Sequence, residues 1–137
     1  MPVTDTAYGQ IQTQTDTPKI ALAPKTIDKK HIAYTNTEAR VREYFSDIPV
    51  MIQVARCEST FRHTLGDGSV LRGKVDARDT GVMQINTGYH GAASKKLGLD
   101  LTVLEDNMAY ARHLYNKQGT QPWSASSPCW GRTIASL

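Results

Sequence analysis

The chain has 137 residues, 16 Lys and Arg against 13 Asp and Glu, and a formal charge of +3. That length supports one hydrophobic core and excludes two. No apolar run approaches the roughly 20 residues that cross a bilayer, and no Lys/Arg stripe with interleaved aromatics marks a nucleic-acid surface.

Taken in chain order, residues 1–34 form a polar leader or linker. Thr, Gln, Asp and Pro dominate it, and Ile11 and Ile20-Ala21-Leu22-Ala23 are its main apolar relief, so it cannot bury enough surface to fold alone. It also lacks the basic start and apolar stretch of a signal peptide. The folded part is expected over 35–137. Thr35 and Glu38 have capping-box spacing, which predicts a helix to about Phe45 with Val41, Tyr44 and Phe45 facing inward. Asp47 and Pro49 open a second helix, Pro being tolerated in a first turn. Thr64 to Arg78 has no helical period; Leu65 to Ser69 reads as a turn and Ser69 to Val75 as a short strand. Asp79 leads into a second strand-like run ending at Asn86. A helix is predicted over His90 to Leu97, closed by Gly98. Another runs from about Val103 to Gln118, capped by Thr102 and ended by Gly119. The fold class is α+β, mostly α-helical, with a small β element.

The chemistry concentrates on the second helix. Met51, Val54, Ala55 and Glu58 fall at i, i+3, i+4 and i+7, one helical face. A carboxylate thus stands where an apolar side chain is expected. Desolvation there raises its pKa and keeps it protonated near neutrality, the requirement for a general acid. Asp79 is the second carboxylate of interest. It reads either as a catalytic partner or as a turn residue paired with Arg78. Gln84 and Asn86 alternate with Met83 and Ile85, which puts them on one strand face. Tyr89, Tyr110, Trp123 and Trp130 are available to stack on sugars or to fill the core. The four His stand at no metal or triad spacing, and two distant cysteines do not make a zinc site. Cys57 is open to two readings, a nucleophile or half of a disulfide.

Three segments carry a family resemblance. Ala55-Arg56-Cys57-Glu58-Ser59, then Gly81-Val82-Met83-Gln84-Ile85-Asn86, then Asn107-Met108-Ala109-Tyr110-Ala111-Arg112-His113-Leu114-Tyr115 together resemble the lysozyme-like superfamily. Within it they look like the lytic transglycosylase (SLT-type) domains. The ending from Gln118-Gly119 through Trp123, Cys129 and Trp130 is similar to the resuscitation-promoting factors. The likeness covers roughly residues 35–131, and three motifs in order are specific where one is not.

The resemblance implies a lysozyme-like fold whose small β element walls one side of a cleft. It implies cleavage of the β-1,4 bond between N-acetylmuramic acid and N-acetylglucosamine in peptidoglycan. Glu58 would act first as acid and then as base, giving 1,6-anhydromuramic ends. The alternative is a hydrolytic lysozyme using Glu58 with Asp79, and a further one is a glycan-binding or virion/secretion-associated module without turnover. Ser59, Met83, Gln84, Asn86, Tyr89 and Trp123 would contact substrate, and Asn107 would hydrogen-bond near the acid. A Cys57–Cys129 disulfide, an extracytoplasmic location, a monomer and no cofactor or metal complete the expectation. One departure stands out. The family's Ala-Tyr-Asn-Ala-Gly-like segment, whose Tyr faces the acid, is replaced by Pro122-Trp123-Ser124-Ala125-Ser126.

Overall fold

The structure, a computed structural model, describes residues 36–135, with side chains as far as Arg132. The leader expected over 1–34 and the capping Thr35 lie outside the described residues. The elements are α1 (Thr37–Tyr44), α2 (Pro49–Ser59), β1 (Asp79–Thr80), β2 (Ile85–Asn86), α3 (Thr87–Lys96) and α4 (Leu104–Gln118). A 3-10 segment (Gln121–Ser126) and α5 (Ser127–Ala135) follow. The class is mixed α+β, mostly helical, with one two-stranded antiparallel sheet.

Helices α1 and α2 form where the periodicity places them, but their caps differ from expectation. Asn36 holds the N-cap of α1 without a side-chain cap bond. Glu38 binds Arg42 one turn ahead at 2.8 Å instead of reaching back; the i,i+4 acid–base pair wins over the box. Ile48, not Asp47, caps α2, with Pro49 in its first turn. The Asp47 carboxylate is taken by both Arg112 nitrogens of α4, each at 2.9 Å.

The end of α2 matters most. Thr60 (φ 56°) and Phe61 (φ 59°) are both left-handed, a conformation costing on the order of 1 kcal/mol for each side-chain-bearing residue. They stop the helix immediately after Glu58 and Ser59. The Ser59 hydroxyl steadies this reversal, donating to the Ala55 carbonyl at 3.0 Å and accepting from the Arg62 amide at 3.2 Å.

The β region departs from the alternation the sequence suggests. No strand forms over Ser69–Val75; there are two isolated bridges, Thr64 with Val70 and Arg72 with Thr80. The backbone there bonds to two separate segments, Leu71 N–H to His63 and Gly81 N–H to Leu71, so no ladder propagates. The run from Asp79 to Asn86 is a hairpin, not one strand. Its pairs are Asp79 with Asn86 and Thr80 with Ile85. Gly81 (φ 74°) and Gln84 (φ 50°) turn the chain between them. Strand alternation therefore does not relate Gln84 to Asn86.

Two later helices start away from their predicted first residues. Helix α3 begins at Thr87 because the Asn86 side chain caps it, accepting from the Gly88 and Tyr89 amides. Helix α4 begins at Leu104 with Val103 as cap, because the Thr102 hydroxyl donates to Asp100 at 2.7 Å. Gly119 ends α4 as expected, its amide bonding Tyr115 at 2.8 Å. Met51, Val54 and Ala55 of α2 pack into one core with Val41, Phe45, Val82, Met83, Met108, Ala111 and Trp123. Helix α2 also lies against α5, and Cys57 and Cys129 are bonded across that contact, their Cα atoms 6.1 Å apart.

Candidate functional site

Glu58 occupies the last turn of α2, half-buried, at one side of a cleft of about 300 Å³. Asp79, Gln84, Asn86, Tyr89 and His90 line the same cleft, with Ile85, Leu114, Pro122 and Trp123 as apolar surface and Gln118 and Ala125 beside them. Two larger hollows of about 630 Å³ lie elsewhere, one against Thr64 to Arg72, the other against Gly91 to Thr102. Neither contains Glu58 or Asp79, which line the smaller cleft together.

Burial holds the Glu58 carboxyl above the ordinary carboxylate range; a hydrogen bond from Ser126 opposes this, and the charge of Asp79 adds to it. The negative end of the α2 dipole acts in the same direction as burial. Ser126 donates to Glu58 Oε2 at 2.6 Å. Its oxygen also lies 3.1 Å from the Trp123 carbonyl, and Trp130 Nε1 donates to it at 3.1 Å.

Asp79 sits on β1 and accepts from the Asn86 amide at 2.9 Å. Arg78 makes no hydrogen bond to it, because the guanidinium binds Asp76 through two hydrogen bonds of 3.0 and 2.8 Å, and acts on Asp79 only through its charge. Asp79 is therefore free of an arginine clamp, and Asn86 orients it. Asn86 thus does two jobs with one amide, capping α3 with its oxygen and holding Asp79 and Asp76 with its nitrogen.

The hairpin carrying Asp79 is locked from behind. Asn107 is fully buried; its nitrogen donates to the Thr80 and Leu101 carbonyls at 2.9 and 2.8 Å, and its oxygen accepts from the Met83 amide at 3.0 Å. His63, also buried, accepts from the Val82 amide at 3.0 Å through Nδ1, so its Nε2 donates to the Thr102 carbonyl at 2.8 Å. That pattern requires the neutral ring, and burial holds the imidazole below its usual pKa. Trp123 Nε1 donates to the Met83 carbonyl at 2.9 Å, tying the C-terminal segment to the hairpin turn.

The cleft therefore gathers Glu58, Asp79, Gln84, Asn86, Tyr89 and Trp123 of the expected residues. Ser59, Met83 and Asn107 do not line it. Ser59 is buried and spends its hydroxyl on its own helix end. Met83 is fully buried in the core. Asn107 bonds the backbone of Thr80, Met83 and Leu101, buried hairpin and loop groups that need partners. A nucleophilic Cys57 is excluded by its bond to Cys129.

Sequence reading missed Ser126, His90 and His63. Ser126 stands 68 residues from Glu58, and no local spacing signals such a contact. Asn107 and Met83, assigned to the site from the resemblance, lie one layer behind the cleft that Leu114, Gln118 and Gln84 line. Among the described residues no three His, Cys, Asp or Glu side chains gather as a metal-binding group, and no helix is long and apolar enough to cross a membrane. No family model, no curated protein and no solved structure matches the chain.

Proposed function

We propose that this chain is a lysozyme-like, peptidoglycan-cleaving domain acting as a lytic transglycosylase outside the cytoplasm. The observation that carries the reading is Glu58, a half-buried carboxyl with a raised pKa, on the wall of a cleft facing Asp79. Breaking a glycosidic bond requires a proton on the leaving oxygen, and a carboxyl whose pKa is raised by burial is the better suited to supply it. The resemblance of the three sequence motifs to lytic transglycosylases suggests the substrate class.

In this mechanism Glu58 protonates the oxygen between N-acetylmuramic acid and N-acetylglucosamine as the C1–O bond breaks. The now ionised Glu58 takes the proton of the muramic 6-hydroxyl, whose oxygen closes on C1. A 1,6-anhydromuramic end forms and no water is consumed. Gln84, Asn86 and Tyr89 present polar and aromatic surface to the sugar chain, Tyr89 being 79% exposed. The chemistry needs no cofactor.

A second reading, hydrolysis by a lysozyme mechanism, is favoured by one observation: Asp79 lines the same cleft and its charge acts on Glu58. Mass spectrometry of the muropeptides released from purified peptidoglycan separates the two. Anhydro products lighter by one water, with turnover surviving Asp79→Asn, support the transglycosylase. Reducing muramic ends, with turnover abolished by Asp79→Asn, support the lysozyme. If nothing is released, the chain is a glycan-binding module.

A further inference from the structure

We propose that Ser126 is a positioning residue for Glu58: by donating to Oε2 it makes Oε1 the oxygen that carries the transferable proton. This deepens the lytic reading and rests on it. A carboxyl group has two oxygens and one proton to place. An oxygen already accepting a strong O–H bond is the poorer place for that proton, and the Ser126 contact at 2.6 Å is a short one. Among the described residues no other side chain or backbone group hydrogen-bonds the Glu58 carboxyl. Oε1 is thus left for substrate.

The surroundings of Ser126 give its single hydrogen a direction. Two acceptors compete for it, Glu58 Oε2 at 2.6 Å and the Trp123 carbonyl at 3.1 Å. The shorter contact, to a carboxyl, is the preferred one, and Trp130 Nε1, which can only donate, biases the choice the same way. It reaches the Trp123 carbonyl at 3.1 Å, supplying that acceptor, and it occupies a lone pair of Ser126 Oγ at the same distance. The hydroxyl hydrogen is left for Glu58. The geometry is stapled in place, because Cys57 precedes Glu58 in the chain, Cys129 precedes Trp130, and the two cysteines are bonded.

The proton inventory closes. Oε1–H passes to the leaving glycosidic oxygen, which departs with the electron pair of the C1–O bond. The carboxylate charge then forms on a group whose other oxygen already accepts a hydrogen bond. Oε1 next takes the proton of the 6-hydroxyl as its oxygen bonds C1, and the starting state returns. Ser126 exchanges no proton at any step.

The test combines turnover on peptidoglycan across pH with the ¹³C titration of the Glu58 carboxyl in solution. Ser126→Ala should lower kcat about tenfold or more, the loss of one hydrogen bond to a charged group. It should also move both the alkaline limb of the pH profile and the carboxyl titration to higher pH. Ser126→Thr, which keeps the hydroxyl, should restore both. If Ser126→Ala fails to fold, Trp130→Phe tests the same chain of donors and should shift both midpoints in the same direction. Unchanged kcat and titration in Ser126→Ala, or a kcat loss without any movement of the titration, overturns the proposal and leaves the lytic reading standing. A wild-type protein that releases no muropeptides overturns both.

Discussion

At the scale of single residues the cleft concentrates cost as well as chemistry. Glu58 is held above the ordinary carboxylate range, whereas the unfolded chain releases this proton near pH 4.3. The folded state is therefore favoured below that pH, and this advantage is lost as pH rises through the folded pKa. Glu58→Gln, a near-isosteric neutral replacement, should raise the unfolding temperature at pH 7 and leave it unchanged near pH 4. The same variant should lose roughly 10²–10⁴-fold in activity. A calorimetric scan at the two pH values, beside a turnover assay, checks both halves; a destabilised variant at pH 7 would contradict the assignment. Asn107 behaves in the opposite sense. Asn107→Ala strips partners from two buried carbonyls and one amide, and should cost about 3 kcal/mol in urea unfolding. The contrast explains what was legible at this scale. Glu58 announced itself because a charge interrupts an apolar face, whereas Asn107, Ser59 and Met83 carry no mark in sequence that separates a cleft wall from the layer behind it.

At the scale of elements, the hairpin from Asp79 to Asn86 decides whether the second carboxylate faces the first. Gly81 is the tightest point in it. A Cβ there would stand 2.5 Å from Asn107 Nδ2 and 2.5 Å from His63 Cε1, on a backbone at φ +74°. Gly81→Ala should destabilise by at least about 2 kcal/mol, through both the clash and the left-handed backbone. His63 makes the same element acid-sensitive. The unfolded chain takes up the His63 proton near pH 6.5, the folded chain only at lower pH. The stability it contributes is complete above pH 6.5 and falls as pH drops toward the folded pKa. In a Glu58→Gln background, which removes the opposing contribution of that carboxyl, unfolding midpoints measured from pH 7 to 5 should decline, and adding His63→Gln should flatten the decline. A residual slope is expected from His90, which burial also holds below its usual value. Helices were legible because their 3.6-residue period survives in apolar spacing. The hairpin was not, because a two-residue strand on each side of a turn carries too few alternations to be distinguished from one strand.

At the scale of the whole molecule, the fold closes on itself through Cys57 and Cys129, 72 residues apart. Closing a loop of that length stabilises by about 4 kcal/mol in the chain-entropy model. A reductant, or Cys57→Ser with Cys129→Ser, should lower the unfolding temperature markedly and reduce turnover, because the segment carrying Ser126 and Trp130 is no longer pinned beside Glu58. Equal turnover with and without the bond would show that packing of α2 on α5 suffices. The segment also gives the molecule a history. A ribosome releases residue 58 well before residues 123 to 130, so the growing chain holds its acid in a half-built cleft, with no hydroxyl to aim it and no indole to close the far side. On the proposed reading, the site is complete only once residues 123 to 130 have been made. A chain halted after Gln118 should accordingly contain all three segments that resemble the lytic transglycosylases and release nothing from a cell wall.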